Sequence, residues 1–529
     1  MNSLRLFILS IFFVLVFQGV SLSQCGQWVW VNGDSTTNSK GRFGVQGVSD
    51  PNNEPPAVYE AFEFSGHDGI FWLFGGFGNS GCYSALWRYS SLSNEWTWVN
   101  GDSTTNDLGN YGIQGVPSAT NMPPARAYGG CSWVDIDGNF WLFGGGSTWA
   151  YSDLWKYDVI SKQWTWMKGP NTYNQLGIYG IQGVPDTANN PDSRSESSAA
   201  WTDNNGNLWL FGGTAIYDTV ENDYNDLWCY NIHTNNWTWM KGSKFFNQPG
   251  IYGVRKMEDS LNTPGARWVY SRWKDSTGNF WLLGGQGSSS EYNDLWRYNP
   301  VTNNWAWISG DSVTFSGGVH YPICVTNSIL EPGDVFENRA AWTDKQGNFW
   351  TFRDNYGCSL WMYSPSTDLW TLYSEDTLEH IYGAFGEKGV PECNNLPPIL
   401  EGALGWSDST DNFYLFGGAI VGPGEYNAMW KYLKNASCNK LQTGELFIDD
   451  VFGFSISPNP SPGNFVITFG TQIQNTSVEI YDVLGSKMFT TKVSDDIVNY
   501  DFSMHLSRGI YFILVIENGR SSTQKLVIQ

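Results

Sequence analysis

The chain has 529 residues, of which 16% are aromatic and only 15% are charged, and it contains 59 glycines. This composition favours many short strands joined by tight turns, and the length allows more than one domain. The formal net charge of -22 excludes a general affinity for nucleic acid, because the phosphates would be repelled.

The N-terminus carries the pattern of a secretory signal peptide. One early arginine precedes an apolar run over residues 6–16, and small residues follow at Ser21 and Ser23. The run is too short to span a membrane comfortably, so we predict a signal peptide over residues 1–23. The pattern predicts a protein that is secreted or displayed on the outer cell surface, where disulfides persist.

A short aromatic string that ends in two glycines is repeated along the chain. The copy GNFWLFGG covers residues 138–145, and related strings begin at residues 69, 206, 278, 347 and 411. A string such as LWKY follows each copy, strings such as WTW follow in five units, and a further alternating segment precedes each copy. Alternation of large apolar with small or polar residues is the period of a strand with one buried face. The repeat therefore predicts units of four antiparallel strands.

These strings resemble the kelch repeat, in which a glycine pair ends the second strand and an aromatic residue followed by tryptophan marks the later strands. The resemblance covers residues 27–432 and includes six copies in order. It implies an all-β fold, a six-bladed β-propeller over residues 24–438 in which each repeat forms one blade.

The count of strands predicts how the propeller closes. The sixth unit lacks its WTW string, whereas QWVWVNG at residues 27–33 precedes the first unit. We expect this N-terminal strand to complete the sixth blade. Cys25 and Cys438 would then lie near the two ends of an interrupted hairpin, and we predict a disulfide between them. Two unrelated thiols are the alternative, and the pairing of the other six cysteines stays open.

Long loops precede the first strand of each blade and separate its second and third strands. Both sets emerge on the same side of the predicted propeller, which we call the long-loop face. Long loops on a rigid scaffold are the usual location of binding residues. The aromatic ligand-binding candidates there are Trp149, Tyr151, Tyr217, Tyr224, Tyr292 and Tyr426. His320 and His380 also reach this face, but no cluster with metal-ligand spacing surrounds them, so we predict no metal and no cofactor.

Arginines and aspartates recur together in the units. An arginine begins the first strand of blades two to five, an aspartate begins the third strand of blades two to four, and blades one and six lack both. This co-occurrence predicts three structural pairs: Arg126 with Asp153, Arg194 with Asp226, and Arg267 with Asp294. Arg339 of blade five faces Ser359 instead, which makes Arg339 a ligand-binding candidate. The alternative is that Asp354 or another acid replaces the missing partner.

A different pattern follows a polar linker over residues 439–454. SPNPSPGNFVITF at residues 457–469 and VEIYDVLGSKMF at residues 478–489 resemble the type A C-terminal sorting domain of the bacterial type IX secretion system. The resemblance covers residues 455–529 and implies a small β-sandwich, a Bacteroidota-type source and the type IX secretion machinery as partner. It also implies that this domain is often removed and replaced by a lipopolysaccharide anchor.

Two classes of function remain for the predicted propeller. The first is a non-catalytic binding protein whose long-loop face holds a glycan or an extracellular protein. The second is a carbohydrate-active enzyme that resembles galactose oxidase or the sialic-acid epimerases. A copper site of the galactose oxidase type needs two histidines beside tyrosines, and of the five histidines only His320 and His380 reach this face. The sequence therefore favours binding without catalysis.

Overall fold

The computed structural model describes an all-β chain that divides into two compact units, residues 1–439 and residues 440–529. It describes residues 25–528 except 67–68, 147–148, 197–198, 218–219, 269, 288–289, 313–317, 321–322, 329, 335–338, 355–357, 376–380, 421–423, 437–453, 470–475, 483–486, 494–496, 504–505 and 518–519. The predicted signal peptide, His380, Cys438 and nearly all of the predicted linker lie outside the described residues. No helix in the described ranges is long and apolar enough to cross a membrane.

The larger unit contains six four-stranded antiparallel sheets, which we number 1 to 6 along the chain. Sheets 1 to 3 comprise Phe62–Ser65, Ile70–Phe74, Leu86–Ser90 and Glu95–Asn100; Cys131–Val134, Phe140–Phe143, Leu154–Asp158 and Gln163–Lys168; and Ala199–Thr202, Leu208–Phe211, Leu227–Asn231 and Asn236–Lys241. Sheets 4 and 5 comprise Ser271–Lys274, Phe280–Gly287, Ser290–Asn299 and Asn304–Ser309; and Ala341–Thr343, Phe349–Asp354, Cys358–Ser364 and Leu369–Glu375. In these five sheets the strands pair in the order in which they occur in the sequence.

Sheet 6 is built from both ends of the unit. It contains Leu404–Ser407, Phe413–Phe416, Met429–Leu433 and Gln27–Asn32. The last of these is the N-terminal strand, and it pairs with Met429–Leu433 so that Trp28 lies opposite Tyr432. This is the pairing that the strand count predicts. Short two-stranded ribbons extend the loops of sheets 1, 3 and 6: Phe77–Gly78 with Gly81–Cys82, Thr214–Tyr217 with Val220–Asp223, and Ala419–Ile420 with Gly424–Glu425.

The first strands of the six sheets are neighbours in a cycle. Each lies beside the first strand of the next sheet, and the first strand of sheet 6 lies beside that of sheet 1. Aromatic side chains fill the spaces between adjacent sheets. Trp201 of sheet 3 stacks on Phe280 of sheet 4 with ring centroids 5.0 Å apart, and Trp273 stacks on Phe349 of sheet 5 at 5.2 Å. The indole of Trp201 also donates a hydrogen bond to the carbonyl of Trp273. Neighbouring sheets are therefore joined by both apolar packing and directional contacts.

The repeated glycine pair marks a close approach between neighbouring sheets. In sheet 2, Gly144 has a φ of 70°, and a Cβ atom added there would lie 2.6 Å from the carbonyl oxygen of Arg194 in the next sheet. The backbone N–H of Gly145 donates to that same carbonyl at 2.9 Å. Only glycine allows both the left-handed backbone and this approach without a clash. The glycine pair is thus explained by the contact between sheets.

An aspartate holds the turn between the first and second strands in sheets 2 to 6. In sheet 3, Asp203 Oδ1 accepts from the backbone N–H groups of Asn205 and Asn207, and Oδ2 accepts from the indole of Trp209 at 3.0 Å. The equivalent carboxylates belong to Asp135, Asp275, Asp344 and Asp408. These residues have a structural role, because each carboxylate accepts hydrogen bonds from backbone N–H groups of the turn.

These turn carboxylates predict a loss of stability in acid. Burial alone would raise the pKa of Asp275, but hydrogen bonds from Thr277, Trp281 and Asn279 outweigh it and lower the pKa below the usual 3.8. A lowered folded-state pKa contributes stability above the unfolded-state pKa, and that stability is lost as the pH falls through the folded-state value. We expect Asp275→Asn to lose less stability than wild type between pH 5 and pH 3, as measured by melting temperature. Equal pH dependence of the two proteins would contradict this role.

The predicted disulfide between Cys25 and Cys438 is wrong, because Cys25 bonds to Cys324. The physical reason is the path of the chain before its first strand. The backbone N–H of Cys25 donates to Tyr373 and that of Cys324 donates to Leu372, both at 2.8 Å, so the two cysteines meet at the fourth strand of sheet 5. Their Cα atoms lie 5.8 Å apart. Cys82, Cys131, Cys229 and Cys358 are not disulfide-bonded, whereas Cys393 is.

The smaller unit contains two antiparallel sheets. One comprises Phe454–Ser457, Asn464–Phe469 and Asn499–Ser503, and the other comprises Thr476–Asp482, Lys487–Val493, Gly509–Glu517 and Arg520–Ile528. Apolar side chains from both sheets, such as Phe465, Ile467, Ile480 and Ile513, form one buried cluster. The alternation of buried and half-buried residues along Thr476–Asp482 places one face of that strand in this core.

Candidate functional site

Sheets 2, 3 and 4 each contain a fully buried arginine–aspartate pair. In sheet 2, Arg126 Nη1 and Nη2 donate to the two carboxylate oxygens of Asp153 at 2.7 and 2.9 Å. Nε and Nη1 of Arg126 also donate to the carbonyls of Pro124 and Gly144, respectively. The structure brings the other predicted pairs together in the same way: Arg194 with Asp226 and Arg267 with Asp294. Each of the three guanidinium groups thus makes four hydrogen bonds within the protein.

A tyrosine and a tryptophan complete each pair. Tyr111 donates to Asp153 at 2.6 Å, and the indole of Trp155 donates to the same oxygen at 2.8 Å. Burial favours the neutral form of an arginine, but the Asp153 carboxylate outweighs this effect and raises the pKa of Arg126. The same two contacts come from Tyr179 and Trp228 in sheet 3, and from Tyr252 and Trp296 in sheet 4. Each carboxylate therefore accepts four hydrogen bonds, which compensate for the burial of its charge.

Four of the tyrosines that were predicted to bind a ligand pack against other groups of the protein. Tyr151, Tyr224 and Tyr292 lie over the guanidinium groups of the three paired arginines, with ring centroids 4.4, 4.1 and 4.0 Å from the Cζ atoms. Tyr426 of sheet 6 is buried beside Phe385. These contacts shield the ion pairs and the loop cores. The side chain of Tyr217 lies outside the described part of the chain.

Sheet 5 departs from this pattern, and Arg339 is not the equivalent of the paired arginines. Arg126 precedes the first-strand tryptophan of its sheet by seven residues, whereas Arg339 precedes Trp342 by three. Arg353, at the position of the first glycine of the pair, instead donates to the carbonyl of Gly333 at 2.6 Å. Arg267 of sheet 4 makes the corresponding contact with Gly265 at 3.0 Å. The predicted alignment of Arg339 with the other arginines is therefore corrected.

Arg339 lines a cavity between the first strands and is only 2% exposed. The nearest acid is Glu60 of sheet 1, whose carboxylate lies 3.9 Å from Arg339 Nη1, beyond hydrogen-bond distance. Glu60 is fully buried, and this burial raises its pKa even though Arg339 and a hydrogen bond with Glu196 lower it. The acid that faces Arg339 thus comes from another sheet, and the side chain of Asp354 lies outside the described residues.

His320 occupies in sheet 5 the place that Tyr111 occupies in sheet 2. Its ring packs edge-on against Trp361, with centroids 5.3 Å apart, and its Nδ1 contacts the carboxylate of Glu375. Ser359 replaces the aspartate and accepts a hydrogen bond from the Trp361 indole at 3.1 Å. Within the ranges that the structure describes, no three histidine, cysteine or acidic side chains are arranged to hold a metal ion.

Trp149 forms an exposed aromatic pair with Tyr173, a residue that the sequence analysis missed. Their rings are stacked at 5.7 Å and 14°, and their exposed fractions are 47% and 50%. Asn174 positions the pair, because its backbone N–H donates to the carbonyl of Ala150 and its side chain accepts from the Ala150 N–H. Asn174 has a φ of 52°, a conformation that asparagine tolerates well. We call Trp149 and Tyr173 the aromatic pair.

The repeat shows that this aromatic pair is not required by the fold. Sheet 1 has the same clamp, in which Asn106 donates to the carbonyl of Cys82 and accepts from its N–H. The residues that precede the two clamp positions there are Gly81 and Thr105, where sheet 2 has Trp149 and Tyr173. This comparison within the repeat was the signal from which Tyr173 could have been found.

Comparison with known proteins identifies the C-terminal unit. Residues 455–529 match the family model described as the secretion system C-terminal sorting domain. No curated protein matches the chain. The chain thus carries a type IX sorting domain, which implies interaction with the type IX secretion machinery, and it is exported to the outer surface or the extracellular space.

Proposed function

We propose that the larger unit is a six-bladed kelch-type β-propeller that binds a glycan outside the cell through the aromatic pair on its long-loop face. Six four-stranded sheets whose first strands are neighbours in a cycle support the propeller architecture. The sorting domain delivers this unit to the outer surface or the medium. Its removal after export, followed by attachment to lipopolysaccharide, belongs to the same proposal.

The observation that carries the proposal is the exposure of Trp149 and Tyr173. Two large aromatic rings that are about half exposed to solvent form an apolar surface patch that a ligand can cover. An aromatic face has negative potential and attracts the slightly positive C–H groups on the apolar face of a sugar ring. The clamp at Asn174 holds the two rings in place before binding, which reduces the entropic cost of association.

A glycan array tests the proposal, followed by calorimetric titration of the purified full chain with the strongest ligand. We expect the double variant Trp149→Ala, Tyr173→Ala to lose at least about thirtyfold in affinity, a typical effect for two central aromatic contacts. The melting temperature should change little, because both side chains are substantially exposed.

Thr105→Ala is the matched control, since Thr105 occupies the position of Tyr173 in sheet 1. This variant should bind the glycan as wild type does. Binding that is unaffected by the double variant would refute the role of the aromatic pair. If no glycan on the array binds, the ligand is a different class of molecule, and an extracellular protein becomes the next candidate.

A further inference from the structure

A second candidate site is a polar cavity between the first strands of the sheets, and Trp149 and Tyr173 are not among its lining residues. Arg339 is 2% exposed, and its Nε and Nη1 atoms have no hydrogen-bond acceptor within the described part of the chain. The three paired arginines are equally buried, but each of them donates to a carboxylate and to backbone carbonyls. Two unpaired nitrogen atoms on a buried guanidinium are costly, and they favour an acceptor that is not part of these strands.

The neighbouring acids do not supply this acceptor. Glu60 remains 3.9 Å from Arg339 Nη1, and burial favours the protonated form of Glu60. Glu63, which lines the same cavity, is already engaged, since it accepts from Arg272 at 3.3 Å and from the backbone N–H of Gly405 at 3.2 Å. Glu60 therefore lies within ion-pair distance of Arg339 but accepts no hydrogen bond from it, and no other described carboxylate does so.

The cavity beside Arg339 has space for a small molecule. Its volume is about 230 Å³, well above the roughly 15 Å³ that a single water molecule needs. All six sheets contribute to its lining, and the polar side chains among the lining residues are Glu63, Ser65, Ser132, Thr202, Arg272 and Arg339. Hydroxyl groups and two arginines in one lining suit a ligand that combines a carboxylate with hydroxyl groups.

We propose that this cavity binds a small organic acid and that Arg339 donates hydrogen bonds to its carboxylate. Guanidinium groups suit carboxylates because several N–H donors lie in one plane and the charge persists at any physiological pH. Ser132 and Thr202 line the space that the rest of the ligand would fill. This site is separate from the aromatic pair, so it does not depend on the proposed glycan binding.

Calorimetric titration of the full chain with glycerate and with glycerol tests the proposal. The two compounds are similar in size, but only glycerate carries a carboxylate, and neither has a sugar ring that could stack on the aromatic pair. We expect wild type to bind glycerate at least tenfold more tightly than glycerol, and Arg339→Gln to lose at least tenfold in affinity for glycerate. Arg42→Gln is the control, because the Arg42 side chain is 61% exposed and does not line the cavity. Equal affinity for the two compounds, or an unchanged affinity in Arg339→Gln, would overturn the proposal.

A measurement on wild type covers the case in which Arg339→Gln does not fold. Crystals soaked with 3-bromopropionate should show anomalous bromine density in the cavity beside Arg339, and 3-bromopropanol should show none there. Density for both compounds, or for neither, would contradict a carboxylate site. Because the aromatic pair remains intact in every one of these experiments, failure here leaves the glycan-binding result unaffected.

Discussion

Replacement of Asp153 by alanine is expected to lower the free energy of unfolding of the larger unit by about 3 to 5 kcal/mol. Asp153 accepts both hydrogen bonds from the guanidinium of Arg126, and neither side chain is exposed. Without the carboxylate, a charged arginine stays buried with no counterion, and the donors of Tyr111 and Trp155 lose their acceptor. Denaturant unfolding followed by tryptophan fluorescence measures the change.

The repeat itself supplies the control for this prediction. Sheet 1 has no pair, and Val58, Ala85 and Phe43 stand where sheet 2 has Arg126, Asp153 and Tyr111. The triple variant Arg126→Val, Asp153→Ala, Tyr111→Phe therefore gives sheet 2 the three apolar side chains that sheet 1 has at the equivalent positions. We expect the triple variant to be more stable than Asp153→Ala alone, because it buries no unpaired charge. A triple variant that is as unstable as the single one would show that the penalty is not electrostatic.

Removal of the Cys25–Cys324 disulfide is the second change with a large expected effect. The bond joins residues 299 positions apart, and in the chain-entropy model a crosslink over so long a loop contributes as much as about 5 kcal/mol. We expect Cys25→Ser, Cys324→Ser to lower the melting temperature and to loosen the N-terminal segment from sheet 5. Cys229→Ser is the control, since Cys229 is a free thiol.

Peptide mapping under non-reducing conditions tests the connectivity directly. A fragment that contains Cys25 linked to one that contains Cys324 is the expected product. Recovery of Cys25 linked to any other cysteine would refute this connectivity and the stability argument that rests on it.

Much of the sheet arrangement was predictable because the same strand pattern occurs in six copies along the sequence. Alternation of apolar and polar residues gives the strands, and the missing WTW string of the sixth unit points to Gln27–Asn32 as the strand that completes sheet 6. The Arg126–Asp153 pair was also predictable, since arginine and aspartate are present or absent together across the units. This correlation is visible because the six units of one chain can be compared with each other, whereas a single unit would not show it.

The disulfide, the position of Arg339 and the contact of Tyr151 could not be predicted, because they depend on spatial contacts that the repeat pattern does not encode. The partner of Cys25 is set by contacts with the fourth strand of sheet 5, which are remote in sequence. Arg339 was misaligned because the loop before sheet 5 has an irregular length. Its arginine therefore lies closer to the first-strand tryptophan than Arg126 does in sheet 2. Tyr151 lies over the guanidinium of Arg126, a contact that its position in a loop sequence does not reveal.

The composite sheet 6 has a consequence for how the protein reaches its final state outside the cell. Its N-terminal strand, Gln27–Asn32, must find Met429–Leu433 across almost the whole unit, so loop-closure entropy delays this contact. Until the contact forms, Met429–Leu433 presents unpaired backbone groups at an open edge. A chain shortened at its N-terminus would keep that edge permanently, and the strand of a second molecule could then occupy it, which gives exported truncation products a route to domain-swapped oligomers.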